Sequence, residues 1–168
     1  MRFVMIGSVI ALMSSSAFAQ QPSGQNPAQA MKTFVSSADI AAVVAKAKSA
    51  RKEGQAMVTS PLLEVGAYKI SIEYRSAATI SGIHEREDEF FYVLDGGATL
   101  TTGGTLVNGK RSSPEHMSGT AIEGGTQRHI TKGDIAIVPA GTPHWFGAVD
   151  GVAVFMMMRM PRPASSTP

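Results

Sequence analysis

The chain has 168 residues, with 15 Lys and Arg against 13 Asp and Glu, and it contains no Cys. A net charge of +2 is too small to attract nucleic acid or an anionic membrane surface, so neither partner is expected. The absence of Cys excludes thiol catalysis, cysteine-bound metals and disulfides. The length fits one domain whose stability comes from a packed core.

Residues 1–19 have the three parts of a secretory signal peptide. Arg2 supplies a basic start, about ten apolar residues follow, and the segment ends in an A-x-A sequence at Ala17–Ala19. An apolar run of about ten residues is shorter than the roughly 20 that a membrane-spanning helix requires. We therefore predict cleavage after Ala19 and a periplasmic or secreted mature protein without a membrane span. The alternatives are an uncleaved amphipathic anchor or a buried helix.

The mature part divides into a linker, a helix and a strand-rich domain. Residues 20–36 are rich in Gln, Pro, Ser, Gly and Ala, which predicts a flexible linker. Helix-start residues, apolar residues at a 3.6-residue spacing and Gly54 near the end predict a helix over 38–52, within a helical segment 37–54. Residues 55–163 form the remaining domain.

In that domain the period of the apolar residues changes to two. Residues 68–74 alternate strictly between apolar and polar, as a half-buried strand requires. Further strands are predicted at 90–94, 98–102, 105–107, 135–138 and 152–158, with turns at 95–97, 103–104, 108–109, 124–125, 132–134 and 140–141. This pattern predicts an all-β antiparallel sandwich or barrel with one N-terminal helix. Residues 108–125 lack clear periodicity. We leave open whether they form a flap over the barrel mouth, an arm over a sheet edge or a tolerated insertion.

Two segments carry the residues with metal-binding chemistry. Gly133–Phe146 contains a Gly-Asp turn, a strand and a Pro-x-Gly turn, after which His144 projects. A lone histidine in such a place is commonly an ordinary hydrogen-bonded residue. The earlier segment adds His84 and a run of acidic residues that ends at Glu89. Imidazole nitrogens and carboxylate oxygens together suit Zn, Fe, Mn, Co or Ni.

The two segments resemble the paired motifs of the cupin superfamily over roughly residues 66–160. The second motif is Gly, five residues, Pro-x-Gly, two residues, His, three residues, Asn. The sequence matches it at Gly133, Pro139, Gly141 and His144, and has Ala148 in place of the Asn. The first motif is Gly, five residues, His-x-His, three or four residues, Glu, six residues, Gly, and its second half is matched at Glu89 and Gly96. The resemblance implies a double-stranded β-helix, or jelly-roll-like, barrel.

One imidazole of the first motif is missing. If four residues separate the second His from Glu89, that His is His84 and Gly82 occupies the first position; with a shorter loop, Arg86 stands at the second position. The resemblance therefore implies three metal ligands, His84, Glu89 and His144, which hold one divalent ion. Three protein ligands with open positions suit a catalytic site, and Fe, Mn or Zn would fit.

The remaining polar and aromatic residues receive other interpretations. Arg86, Trp145 and Tyr92 are candidates for substrate contact, Arg86 because a guanidinium cannot ligate a cation but can clamp a carboxylate. His116 and His129 are interpreted as ordinary histidines. Glu85, Glu87 and Asp88 are placed at a solvated rim, where one of them could act as a base. Met156, Met157 and Met158 are interpreted as core residues.

The function predicted from the resemblance is that of an exported metal-dependent enzyme. It would act on a small oxygen-rich molecule in a reaction of dioxygenase, isomerase or lyase type. The alternative is a non-catalytic cupin that binds a small ligand and has a weak or empty metal site. A homodimer is possible.

Overall fold

The computed structural model of the protein describes residues 32–163. The predicted signal peptide, 1–19, and most of the predicted linker, 20–36, lie outside the described residues, so export stays a prediction. Within residues 32–163 no helix combines the length and apolar character that a bilayer crossing requires.

The first element is helix α1, Ser37–Ala50. It begins with a capping box, in which the Ser36 hydroxyl accepts from the Asp39 amide at 3.1 Å and the Asp39 carboxylate accepts from the Ser36 amide at 3.0 Å. The helix ends before the predicted boundary because Arg51 already has extended dihedral angles. Its buried residue, Ala47, packs against the sheet.

Eleven strands follow the helix in the described residues. They are β1 (Met57–Val65), β2 (Tyr68–Arg75), β3 (Ser81–His84), β4 (Glu87–Thr102), β5 (Thr105–Val107), β6 (Lys110–Ser113), β7 (His116–Gly119), β8 (Ala121–Glu123), β9 (Thr126–Thr131), β10 (Ile135–Val138) and β11 (His144–Pro161). Nine of them form one antiparallel sheet in which β1, β2, β11, β3, β7 and β6 are successive neighbours, and β4 pairs with β9, β10 and β11. Strands β5 and β8 form a small second sheet. The predicted all-β class with one N-terminal helix is confirmed.

The long strands β4 and β11 pair with each other along most of their length. Strand β11 also pairs with β2 and β3, and β4 with β9 and β10, so the two strands connect the rest of the large sheet. The sequence predicted a turn at 95–97, but β4 continues through this point. Gly96 has a φ of +71°, and a side chain there would collide with the Val152 carbonyl of β11. The glycine therefore allows a kink with a register shift in a continuous strand, rather than a reversal of the chain.

Apolar side chains fill the two sides of the sheet. The barrel interior contains Phe91, Val93, Ala98, Leu100, Ile130, Val138, Phe146, Ala153, Phe155 and Met157. On the other side, α1 covers Leu62, Ile72, Tyr74 and Val154. Met157 faces the barrel interior and Met156 packs on the helix side, as alternation along a strand requires.

Residues 108–125 are largely ordered into strands rather than a loose flap. Strands β6 and β7 form a hairpin that extends the sheet beyond β3, and β7 pairs with β3 from Ser81↔Gly119 to His84↔His116. The segment therefore brings its own side chains next to those of the first motif.

Candidate metal centre

The three predicted ligands lie on three different strands. His84 is the last residue of β3, Glu89 lies in β4, and His144 is the first residue of β11, directly paired with Gly82. A backbone hydrogen bond of 2.8 Å from the Gly141 amide to the His84 carbonyl joins the Pro-x-Gly turn to β3. This bond fixes the two motifs relative to each other.

The predicted ligand atoms converge. His144 Nε2 is 2.8 Å from Glu89 Oε2, and His84 Nε2 is 3.4 Å from Glu89 Oε1. Donors that share one ion at about 2.1 Å lie roughly 3 to 3.5 Å apart. The His84 distance falls in this range, and the His144 distance is shorter by a few tenths of an ångström, so a small separation of His144 from Glu89 would admit an ion. The Glu89 side chain is 3 % exposed, and His144 is also buried. The donor set is two imidazole nitrogens and one carboxylate.

A second group of possible ligands shares His84. Its members are His84, Glu87 and His116, with 3.8 Å from His84 Nδ1 to Glu87 Oε2 and 3.6 Å from His116 Nε2 to Glu87 Oε2. The His84 and His116 rings pack edge to face with centroids 4.5 Å apart. Because its contacts are longer, this second group fits one ion less well than the first.

Several buried polar atoms around these groups have no hydrogen-bond partner. They are His84 Nδ1, Glu87 Oε2 and Arg159 Nε. Folded proteins rarely leave such atoms unpaired. Glu89 Oε2 and His144 Nε2 lie 2.8 Å apart in the buried site, and a cation between His84, Glu89 and His144 would bind both atoms. Nitrogen and oxygen donors of this kind suit a borderline divalent metal. The residues present therefore fit the ion that the motif implies.

The surroundings of the ligands favour their metal-binding states. His144 Nδ1 lies 3.2 Å from the Thr142 carbonyl, so a proton on Nδ1 leaves Nε2 free to ligate. Burial lowers the pKa of His84 from 6.5 to about 4, with help from Arg159, His144 and His116 against the opposing effect of Glu89. Burial would raise the pKa of Glu89, but contact with His144 and the nearby His84 and Arg159 hold it below 4.5.

We expect the metal-free protein to lose stability as pH falls from about 6.5 toward 4. In this window the unfolded chain protonates His84, but the folded protein, with a His84 pKa of about 4, does not. The unfolded state binds more protons, so the free energy of unfolding decreases. Urea denaturation with chelator at about pH 7 and about pH 5 should show a larger loss for the parent than for His84→Gln. Equal losses would contradict the expectation.

A cavity of about 230 Å³ opens beside the ligands and is lined by His84, Glu89, His144, Arg159 and Trp145, among others. The Trp145 indole donates to the Thr79 carbonyl at 2.6 Å, which fixes the ring in the cavity wall. Trp145 therefore lines the cavity, and its contact with a substrate stays a prediction.

The lining of the cavity also contains a buried ion pair. Arg75 donates through Nε and Nη2 to Glu73 Oε2 at 3.1 and 2.7 Å, and through Nη1 to the Thr79 hydroxyl at 3.0 Å. The guanidinium also lies 4.3 Å from the centroid of the Phe146 ring. The two charges of this pair neutralise each other.

The other two predicted substrate contacts are not brought to the cavity. Tyr92 alternates with the inward-facing Phe91 and Val93 along β4, so it projects from the other side of the sheet. Arg86 lies between β3 and β4, where its carbonyl accepts from the Arg162 amide, and its side chain does not line the cavity. His129 pairs with Asp150 at an exposed position.

The acidic residues of the predicted rim have separate partners. Glu85 forms an ion pair with Arg111, and Asp88 accepts from the Ala140 amide and pairs with Arg162. Of the three, Glu87 is the residue that contacts the histidines. It therefore belongs to the site rather than to the solvated rim.

Sequence reasoning missed two residues of the site. His116 reaches His84 because β7 pairs with β3, a long-range pairing that no local pattern announces. Arg159 did have a signal, because in β11 it continues the inward-facing alternation of Phe155 and Met157. Its Nε lies 3.4 Å from Glu89 Oε1.

The geometry favours Gly82 over Arg86 as the vacant ligand position. Gly82 lines the cavity, is paired with His144, and a Cβ there would meet the Met117 carbonyl at 3.4 Å, a tight but near-ordinary contact. We expect Gly82→His to tighten zinc binding by about tenfold, about 1.4 kcal/mol, through a fourth ligand. Arg86→His is the matched control and should change affinity little. Calorimetric titration of the metal-free variants measures both, and a larger gain in Arg86→His would reverse the assignment.

An antiparallel barrel with imidazoles and a carboxylate converging inside it defines the class of small β-barrel proteins with a candidate metal site. A model of the cupin family matches residues 57–166, so the chain belongs to this family. A comparison with curated proteins finds no match.

Solved structures resemble the fold at low sequence identity. TT1209 from Thermus thermophilus is 19 % identical over 69 % of this chain and 93 % of its own, with a TM-score of 0.50. A conserved protein with a double-stranded β-helix domain from Klebsiella pneumoniae is 17 % identical over 79 % of this chain and 93 % of its own, with a TM-score of 0.51. KdgF from Halomonas sp. is 14 % identical over 70 % and 89 %, with a TM-score of 0.49. These likenesses concern the fold.

Proposed function

We propose that this cupin is a metal-dependent enzyme that binds one divalent ion, Fe, Mn or Zn, and acts on a small oxygen-rich substrate. The observation that supports it is the convergence of His84, Glu89 and His144, whose ligand atoms lie within 4.8 Å of one another around the buried Glu89 carboxylate. The adjoining cavity of about 230 Å³ suits a substrate smaller than a drug-sized ligand. A reaction of dioxygenase, isomerase or lyase type is consistent with this arrangement.

The roles of the residues follow from their contacts. When bound, the ion supplies a Lewis-acid centre that polarises an oxygen of the substrate. His84, Glu89 and His144 would hold it, and the Thr142 carbonyl orients the His144 ring through Nδ1. Trp145, fixed by its hydrogen bond to Thr79, provides a rigid apolar wall that limits the entry of water.

Elemental analysis of the purified protein tests the metal, and a reaction assay tests the catalysis. We expect about one equivalent of a divalent metal per chain, removed by chelator. Incubation of the loaded protein with mixtures of hydroxy acids, oxo acids and sugars, followed by mass spectrometry and an oxygen electrode, should show metal-dependent turnover. Metal content near zero would contradict the proposal.

A second candidate function is a non-catalytic small-ligand-binding cupin with a weak or empty metal site. The observation that favours it is Arg159, which lies 3.4 Å from Glu89 and 3.6 Å from Glu87 and so already places a positive charge beside the carboxylates. An ion must bind against this charge. Ligand binding that is unaffected by chelator would support the second candidate.

We also propose that the mature protein is exported and begins at Gln20. The basic start, the short apolar run and the A-x-A sequence before this residue support cleavage. Intact-mass measurement on periplasmic or secreted material tests the proposal directly. A full-length mass would contradict it.

A further inference from the structure

The Arg159 side chain is positioned to contact both the proposed ligands and a molecule in the cavity. It lies at the inward-facing end of β11, opposite Glu89 of β4, and lines the cavity. Its Nε is buried without a hydrogen-bond partner, and the side chain is one-third exposed. Its contacts with Glu89 and Glu87, at 3.4 and 3.6 Å, are longer than ordinary charged hydrogen bonds, so the guanidinium can still donate to a molecule in the cavity that it lines.

The charges around Arg159 are not balanced once an ion is bound. Glu73 and Arg75, which also line the cavity, neutralise each other. The remaining charges are Glu87, Glu89 and Arg159, to which the proposed ion adds two positive charges, and histidines are neutral when they bind a metal. The site then carries one net positive charge, which a ligand with one negative charge would neutralise.

We propose that Arg159 is a specificity-determining residue that binds the carboxylate of a small monoanionic substrate. This inference rests on the proposed function, because the metal supplies the second point of attachment. A guanidinium presents parallel donors that match a carboxylate, and an ion binds an adjacent hydroxyl or carbonyl oxygen. The ligand class that meets both demands is a short 2-hydroxy or 2-oxo acid.

The size and lining of the cavity agree with this class. A volume of about 230 Å³ accommodates a short acid rather than an oligosaccharide. Apolar side chains of Phe91, Met117 and Trp145 contribute to its wall. Such walls exclude water, which strengthens the attraction between Arg159 and an anion.

Calorimetry on the zinc-loaded protein tests the proposal with matched probes. Lactate, glycolate and pyruvate carry the carboxylate, whereas lactamide is the neutral counterpart of lactate. We expect at least one of the acids to bind, and lactamide to bind about tenfold more weakly than lactate. Arg159→Gln should remove this preference at unchanged zinc content, and Arg159→Lys should restore it in part because it keeps the charge without the planar fork.

Arg128→Gln is the control, because it removes one positive charge at an exposed position on β9, away from the cavity. It should leave the preference for lactate unchanged. Equal binding of lactate and lactamide, or unchanged lactate binding in Arg159→Gln, would overturn the proposal. Failure of all three acids to bind would also overturn it. Zinc content separates the anion site at Arg159 from the proposed metal-dependent function. If the protein takes up no zinc but still binds lactate through Arg159, the anion site is retained and the metal-dependent function is contradicted.

Discussion

Replacing His144 by alanine is expected to weaken metal binding by about a hundredfold or more, because it removes one of three ligands from a compact site. His144 Nε2 is 2.8 Å from Glu89 Oε2, the shortest contact between two of the proposed ligands. Zinc binds the folded protein and not the unfolded chain, so it should raise the melting temperature of the parent. The variant should lose this increase. Metal analysis after dialysis and thermal denaturation with and without zinc measure both effects.

His116→Ala is the graded comparison for this prediction. His116 contacts His84 and Glu87 but belongs to the looser group of possible ligands. We expect His116→Ala to weaken zinc binding by less than about tenfold, below the range typical of a residue that hydrogen-bonds a ligand, because His116 meets His84 by edge-to-face ring packing. His129→Ala, at an exposed pair with Asp150, should change nothing. Equal zinc affinity in His144→Ala and the parent would remove the site.

Much of the fold was predictable because its signals are local. Alternation over 68–74 and the runs at 105–107 and 135–138 correspond to strands β2, β5 and β10. The prediction of a turn at 95–97 was wrong because the local sequence does not determine what Gly96 does. A glycine suits a hairpin and a kink equally, and only the close approach of β11 to Gly96 decides between them.

The candidate site was predictable only where spacing along the chain encodes it. The Pro-x-Gly turn and the following histidine fix the place of His144 from sequence alone, and the structure brings His84 and Glu89 to it. His116 comes from a segment whose pairing with β3 depends on tertiary structure. Pairings between distant strands are set by side-chain packing, which a linear pattern does not contain.

The dependence on tertiary structure also explains why the arginine found beside the proposed ligands is Arg159 and not Arg86. One of the two motif alignments placed a guanidinium beside the ion at Arg86, because with a shorter loop the family's second histidine falls on that residue. The structure instead places Arg159 of β11 next to Glu89, with which it pairs across the strands. A guanidinium that can bind a carboxylate was expected at Arg86, and the residue in a position to supply it is Arg159 of the neighbouring strand β11.

The buried pair of Glu73 and Arg75 in the cavity lining is expected to contribute strongly to stability. Glu73 and Arg75 are 5 % and 6 % exposed, and two hydrogen bonds of 3.1 and 2.7 Å join them. Removing one member of such a pair leaves a buried charge whose desolvation is no longer offset. Replacing both members by apolar residues of similar volume removes both charges and avoids that cost.

Glu73→Ala is therefore expected to lower the free energy of unfolding by about 3 to 5 kcal/mol, a large part of the roughly 5 to 15 kcal/mol typical of a domain. The double variant Glu73→Leu/Arg75→Met should recover most of the loss, because no charge is left unpaired. Asp95→Ala is the control, because Asp95 and Lys132 form an ion pair in which both side chains are exposed. This substitution should lower the free energy of unfolding by less than about 1 kcal/mol. Urea denaturation of the three variants measures these differences. A loss in Glu73→Ala no larger than that in Asp95→Ala would show that water in the cavity solvates Arg75, and that the pair contributes little to stability.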